Sequence, residues 1–413
     1  MQRQRSVGIV SAAIPLLVLP LLASSCSTSD GSSSGAAFAW STPTQVSAPQ
    51  PNSNGAMARA NVHGTGVYIT NAVRQLTGLK WEFKAGDRGS VTTPAIQGST
   101  VYFGQRGSVY AVDTGTGTKK WTRELDNQGT SAPAIVGDTV YVGVRDELYA
   151  ISTDTGAVEW IFQPEEGSDD SPLNDPVVYD GTIYFGGWRN SYALDIETGT
   201  EKWKQELTSI IRSVPSVYNG TVYIGTLNLD GRHDSYLYAL DSQTGQEKWK
   251  LKTRGQGIGG AVAVTDGIVY VSTYEDGLLA LDATSGQEKW RYNPGLVAAT
   301  APAVAYGIVY ITDQGTLYAV DAQTGKDKWR LHGSGGFSSD PVIADGIVYF
   351  GTTTAGIGVI FGGHPTGYVH AVDAQSGQEL WKFSVEGGIA GSPAISVGTV
   401  YFGGGEGTLY AVR

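Results

Sequence analysis

The sequence predicts an all-β fold, an eight-bladed β-propeller of four-stranded antiparallel blades, and three observations carry that reading. The phrases "AVDTGTGTKKW", "ALDIETGTEKW", "ALDSQTGQEKW", "ALDATSGQEKW", "AVDAQTGKDKW" and "AVDAQSGQELW" recur along the chain, ending at Trp121, Trp203, Trp249, Trp290, Trp329 and Trp381. With Trp81 and Trp160 these tryptophans fall about forty residues apart, the length of one four-stranded blade. Beyond residue 60 the chain alternates short β-branched and aromatic runs with turn residues, and no helical period interrupts them.

Each unit opens with Pro-Ala-Ile or a relative of it. It then passes a Gly turn into a second strand such as "TVYFG", crosses a variable loop and ends in the Asp-x-x-Thr-Gly turn and Trp. Four strands per unit follow. The Asp can accept hydrogen bonds from N–H groups inside the turn, and the Gly supplies the positive φ that reverses the chain. The Trp then starts the outermost strand, where its ring can cover the neighbouring blade; all eight tryptophans are read as docking residues because they occupy equivalent positions. The chain ends at "LYAVR", three strands into a unit. The missing outer strand is expected from "LKWEF" around Trp81, which closes the ring without an open sheet edge. The segment before Trp81, "ITNAVRQLTG", echoes a third strand and is expected to pack as an extra strand or loop.

The N-terminus reads as a targeting signal. "MQRQR" is basic, Val7 to Ala23 is an apolar core, and small residues lead to Cys26, so residues 1–25 are expected to be a removed export signal. "LLASSC" resembles a bacterial lipobox, which makes Cys26 the lipidated first residue and membrane anchor; simple secretion is the alternative. Cys26 is the only cysteine, so no disulfide, Cys-ligated zinc or iron–sulfur cluster can form within one copy. Residues 26–60 are Ser, Gly, Thr, Pro and Asn-rich and read as a flexible tether, with the propeller spanning 61–413. Acidic residues outnumber basic ones, 39 against 28, for a net charge of -11, which argues against a nucleic-acid partner. The propeller is expected to be monomeric.

The repeat residues resemble the pyrroloquinoline quinone (PQQ)-type propeller repeat over roughly residues 75 to 413. Two kinds of protein share it. Quinoprotein dehydrogenases hold PQQ and Ca²⁺ in the propeller funnel, whereas the BamB lipoprotein of the outer-membrane assembly machinery is a non-catalytic scaffold. Export signal, lipid anchor, tether and eight bare blades are similar to the second, so the resemblance implies no enzyme, no cofactor and envelope proteins as partners. PQQ and calcium belong to the alternative, a quinone-dependent or other small-ligand enzyme. That enzyme class typically carries adjacent cysteines over the quinone, and this chain has no Cys after residue 26. A third possibility is an extracytoplasmic sensor that binds a peptide or sugar.

Candidate partner-binding residues sit where loops depart from the repeat, on the face expected around the funnel. "GGWRNS" holds Trp188 and Arg189, "NLDGRHDS" holds Arg232 and His233 beside Asp234, and "TTTAGIGVIFGGHPTG" in blade 7 holds Ile360, Phe361 and His364. Exposed Trp, Arg and apolar side chains make up protein-binding hot spots. The other reading has these side chains folding back over the funnel or the next blade. The acidic run into blade 3, with Glu165, Glu166, Asp169, Asp170 and Asp175, could bind a cation or a basic partner, but it lacks calcium-loop spacing and reads as a solvated loop. "GQGIGG" leads into a strand and not a helix, and "GSSSG" lies in the tether, so neither reads as a phosphate loop or a nucleophile elbow. The five histidines form no i, i+4 pair on a helix, so no histidine metal site is expected.

Overall fold

The computed structural model describes residues 56–413 apart from 58, 87–88, 127–128, 165–172, 230, 232, 297–299 and 355–364. Regular structure among the described residues is entirely strand, arranged as eight antiparallel four-stranded blades. Counting from the first complete unit, the inner strands are Ala95–Gln97, Ala134–Val136, Val177–Tyr179, Ser216–Tyr218, Ala263–Thr265, Ala303–Ala305, Val342–Ala344 and Ile389–Ser396. Each of these strands touches the next and the last touches the first, so the ring closes on itself.

Blade 8 is the composite. Its three inner strands come from the C-terminus, and its outer strand is Leu79–Lys84, paired antiparallel with Thr408–Val412. The turn that is covalent in every other blade is rebuilt across the chain ends. Arg413 N–H donates to the Gly78 carbonyl at 3.1 Å, and the Thr77 and Gly78 N–H groups donate to the Arg413 carbonyl at 2.6 and 3.0 Å.

The repeated turn works as a local clamp. Asp321 Oδ1 accepts from the N–H groups of Gln323 and Thr324 and from the Thr324 hydroxyl, and Asp113, Asp195, Asp241, Asp282 and Asp373 do the same in their blades. The turn glycine has a second role besides its positive φ. A Cβ on Gly325 would lie 2.7 Å from the Trp290 ring of the preceding blade, and six other turn glycines face a tryptophan in the same way. Seven indole N–H groups donate to a main-chain carbonyl one residue beyond the Asp position of the next blade, or to its stand-in, at 2.6–3.2 Å. The tyrosine of each second strand points its hydroxyl at the same carbonyl: Tyr310 and Trp329 share Ala374, and Tyr223 and Trp249 share Ala283. Trp and Tyr thus bury apolar area and share an acceptor at seven of the eight junctions; at the eighth, Tyr141 alone bonds the Ile196 carbonyl.

The N-terminal side differs from the expectation. The tether was expected to run to Ala60, but the chain is already inside the ring at Ala56. Residues 56–68, apart from 58, follow the inner edges of the blades like a hoop. Ala56 exchanges both main-chain bonds with Ile135 of blade 2, and the carbonyls of Val62, His63, Thr65 and Gly66 accept from Val217, Val264, Val304 and Ile343 of blades 4, 5, 6 and 7. In these five blades the middle residue of the inner strand donates its N–H to the hoop, and the bonds satisfy donors that the sheet pairing leaves over. Met57, Arg59, Val62 and Thr65 are buried there. Val67–Tyr68 then pairs parallel with Ile343–Ala344 of blade 7 before the chain runs outward to blade 8. Gly64 is required, since a Cβ would meet the Val262 carbonyl oxygen at 2.2 Å.

Candidate functional site

The face where the inner strands begin also carries the hairpins between second and third strands. Hydrogen bonds link the two: Leu173 N–H donates to Arg145 O at 2.8 Å and Ile211 N–H to Trp188 O at 2.6 Å. Arg106, Arg145, Trp188 and Gln314 occupy equivalent tight-turn positions with φ between 45° and 55°. Trp188 therefore projects from a two-residue turn and not from a long loop, and its side chain is partly exposed. Arg189 folds back on its own blade, bonding the Leu207 carbonyl at 3.2 Å and Glu206 at 3.6 Å. His233 is exposed. Trp188 and Arg189 are thus neighbours. Cys26, Arg232, Ile360, Phe361 and His364 lie outside the described residues, as do Glu165, Glu166, Asp169 and Asp170.

Below these turns lies a ring formed by the residue two positions before the inner strand in blades 1 to 7 and its equivalent inside the longer inner strand of blade 8: Thr93, Ala132, Asp175, Val214, Ala261, Ala301, Asp340 and Ser392. In seven blades a proline follows, which holds this residue extended. Polar members hook onto the preceding blade. Thr93 Oγ1 accepts from Ser392 N at 2.9 Å, Asp175 Oδ1 from Ala132 N at 2.7 Å and Asp340 Oδ1 from Ala301 N at 3.0 Å. The two carboxylates belong to blades 3 and 7, on opposite sides of the eightfold ring.

Their surroundings differ through one residue of the hoop. Arg59 reaches Asp340 Oδ2 with Nη1 at 3.0 Å, while its other N–H groups donate to the carbonyls of Gly64, Ala301 and Pro302. Arg59 and Ala60 both hold φ above 60°, a conformation that costs energy for non-glycine residues and turns the hoop at this point. Asp175 has no paired cation among the described residues. Burial pushes its carboxyl up to about 6, with the Asp340 charge adding to the rise and the Ala132 N–H opposing it. Arg212, also near an inter-blade loop, is exposed, and the cation on Asp340 is Arg59.

Two clefts open on this face. One of about 250 Å³ is lined by Thr93, Ser339, Asp340, Thr353, Ile389 and Ser392. The other, about 680 Å³, is lined by Ser90, Thr92, Arg106, Thr130 and Ala390. A cation with several hydroxyls suits a small anionic group. A calcium ion is not suited by the described donors, since Asp340 is already paired with Arg59. Among the described residues no group of three or more His, Cys, Asp or Glu could hold a metal ion.

The residues that sequence reasoning missed are Arg59, Asp340 as its partner, and the second-strand tyrosines. The tyrosines had a signal, recurring in "TVYFG", "TIYFG" and "GIVYV". Arg59 had none, because the segment around it follows no repeat.

Comparison with known proteins places this geometry. The family model described as outer membrane protein assembly factor BamB matches residues 55–187, 170–258, 233–363 and 365–413. No curated protein sequence matches the chain. Among solved structures, BamB from Moraxella catarrhalis aligns at 18% identity over 81% of this chain and 99% of that one, with a TM-score of 0.64. Quinohemoprotein alcohol dehydrogenase from Comamonas testosteroni aligns at 16% identity over 86% and 80%, TM-score 0.69. The computationally designed protein Ika8 aligns at 19% identity over 81% and 99%, TM-score 0.67. At these identities the structural likenesses establish the fold alone, whereas the family model spans nearly all of the propeller. The chain belongs to the family of the outer membrane protein assembly factor BamB.

Proposed function

We propose that this chain is an exported, non-catalytic propeller, held to a membrane through a lipid on Cys26, that serves as a protein-interaction scaffold of the cell envelope. The observation that carries the reading is the hoop along the inner edges of the blades. The hoop of residues 56–68 bonds the inner edges of five blades, and Arg59 neutralises Asp340 at the funnel floor. The surface available to a partner is then the ring of hairpin turns, where Trp188 offers the aromatic anchor favoured in protein interfaces. Crosslinked affinity capture from native membranes tests it, comparing the wild-type chain with Trp188→Ala and with a deletion of 353–364. Loss of a specific envelope protein supports the scaffold; identical captures from all three, or none, sink it.

A second reading is favoured by the cleft beneath Arg106, whose hydroxyl and guanidinium lining suits an anionic small molecule, PQQ included. Titration with PQQ with and without Ca²⁺, followed by dye reduction, selects the enzyme class if binding saturates and dye is reduced. Loss of saturable binding in Arg106→Gln assigns the site.

A further inference from the structure

We propose that Asp175 is a docking point for a cationic side chain, an arginine or lysine, that a partner protein inserts into the funnel. The argument starts from two equivalent positions. Asp175 and Asp340 each precede an inner-strand proline, and each gives Oδ1 to the N–H of the matching alanine in the preceding blade, at 2.7 and 3.0 Å. That shared bond fixes the carboxylate and leaves Oδ2 as the free acceptor. At Asp340 the acceptor is filled by Arg59, which arrives along the channel and anchors its remaining donors on main-chain carbonyls. The fold thus demonstrates, on one side of the ring, which chemistry this position takes.

On the opposite side the same oxygen has no partner cation among the described residues, while Asp175 is only partly exposed. A half-desolvated carboxylate is a poor final state. The other blades avoid it by using Thr, Ser, Ala or Val at this position, so an acid here is not required by the blade. Thr93 makes the equivalent inter-blade bond without any charge. A guanidinium or ammonium entering from the funnel face would meet Oδ2, and Coulomb attraction there is screened less than at the surface. A neutral polar side chain would gain little, which makes the site selective for charge.

The source of the cation rests on the scaffold reading, but the site is tested without it. Saturation-transfer NMR on the full-length chain uses the peptide Gly-Ser-Arg-Ser-Gly and its citrulline counterpart, which keeps the shape and loses the charge. The expected result is saturable binding of the arginine peptide, at least tenfold weaker for citrulline and at least tenfold weaker in Asp175→Asn, with no change in Asp345→Asn on the far face. Should Asp175→Asn fold poorly, Asp175→Thr copies blade 1 and serves instead. Equal binding by Asp175→Asn or by the citrulline peptide overturns the site. A zero-length carbodiimide crosslink in native membranes then tests the source. Joining of the Asp175 peptide to a lysine of another protein supports a partner, whereas peptide binding without such a crosslink overturns the protein source and leaves a site for free organic cations. Failure of Trp188-dependent capture with arginine binding intact would sink the scaffold reading alone.

Discussion

The indole of Trp381 donates to the main-chain carbonyl of Val73 at 2.6 Å, and the Tyr349 hydroxyl lies 3.3 Å from the same oxygen. Six other indoles use a carbonyl of the next blade's turn, but blade 8 has no covalent turn, and a residue from the segment leaving the hoop supplies the acceptor. Trp381→Ala should therefore cost about 3–5 kcal/mol, as for any large buried aromatic, and Trp381→Phe about 1 kcal/mol for the lost hydrogen bond. Urea denaturation of both variants beside Trp290→Ala checks this. A much smaller loss at Trp381 would mean the Val73 joint contributes little to closure.

Arg59 and Asp340 form a pair whose members should not be removed singly. Arg59→Met leaves Asp340 partly buried with no cation and is expected to cost about 3–5 kcal/mol. The double variant Arg59→Met/Asp340→Asn should recover a substantial part of that, giving a coupling of at least about 1 kcal/mol in a double-mutant cycle. Strict additivity would show that the pair is not coupled.

The turn glycines separate two costs that usually travel together. Gly325→Ala meets both a φ of +69° and a ring 2.7 Å away, so about 2–4 kcal/mol is expected from strain plus overpacking. Gly98, at φ +56° with nothing within 4 Å, should lose only about 1 kcal/mol on substitution by Ala. Thermal melts of the two variants measure the difference. Equal shifts would remove the packing role of the turn glycine.

Asp175 and His370 pull stability in opposite directions with pH. The Asp175 carboxyl is raised to about 6, so the folded state holds its proton more tightly; its stabilising contribution is complete below pH 3.8 and is lost as pH rises through about 6. Asp175→Asn should be more stable than wild type at pH 7.5, by on the order of 1–3 kcal/mol, and equal to it near pH 3.5. His370 is fully buried between Glu379 Oε1 at 2.6 Å and Thr352 Oγ1 at 2.9 Å, stacked on Phe350. Burial lowers its pKa against the opposing pull of Glu379, with Lys382 adding to the fall. Its contribution is therefore complete above pH 6.5 and is lost as pH falls below that value. His370→Gln should flatten the acid side of the stability profile, and an unchanged profile would refute the assignment.

How much was legible depended on whether a feature repeats. The Asp, Gly and Trp of "AVDAQTGKDKW" announced turn, strand and junction because the same chemistry recurs from blade to blade, and "LKWEF" followed from the strand missing at "LYAVR". The hoop is not a repeat. Its bonds run mainly through its own main-chain carbonyls to N–H groups of Val217, Val264, Val304 and Ile343, and a main-chain donor leaves no residue signature. Asp175 and Asp340 look alike in sequence as Asp-Pro pairs, and only the arrival of Arg59, far away along the chain, makes them differ. The tight turn that carries Trp188 was not apparent, because a turn with positive φ normally advertises itself by Gly or Asn.

The hoop also imposes an order of events on the chain. Residues 56–84 leave the ribosome before any blade exists, yet their partners are the inner strands of blades 2 and 4 to 7 and the last strand of the protein. They must wait for nearly the whole polypeptide, which places the slowest, longest-range contacts at the end of folding. Until then the first-made segment is an unpaired edge, and an export route that keeps the chain extended would deliver both ends together.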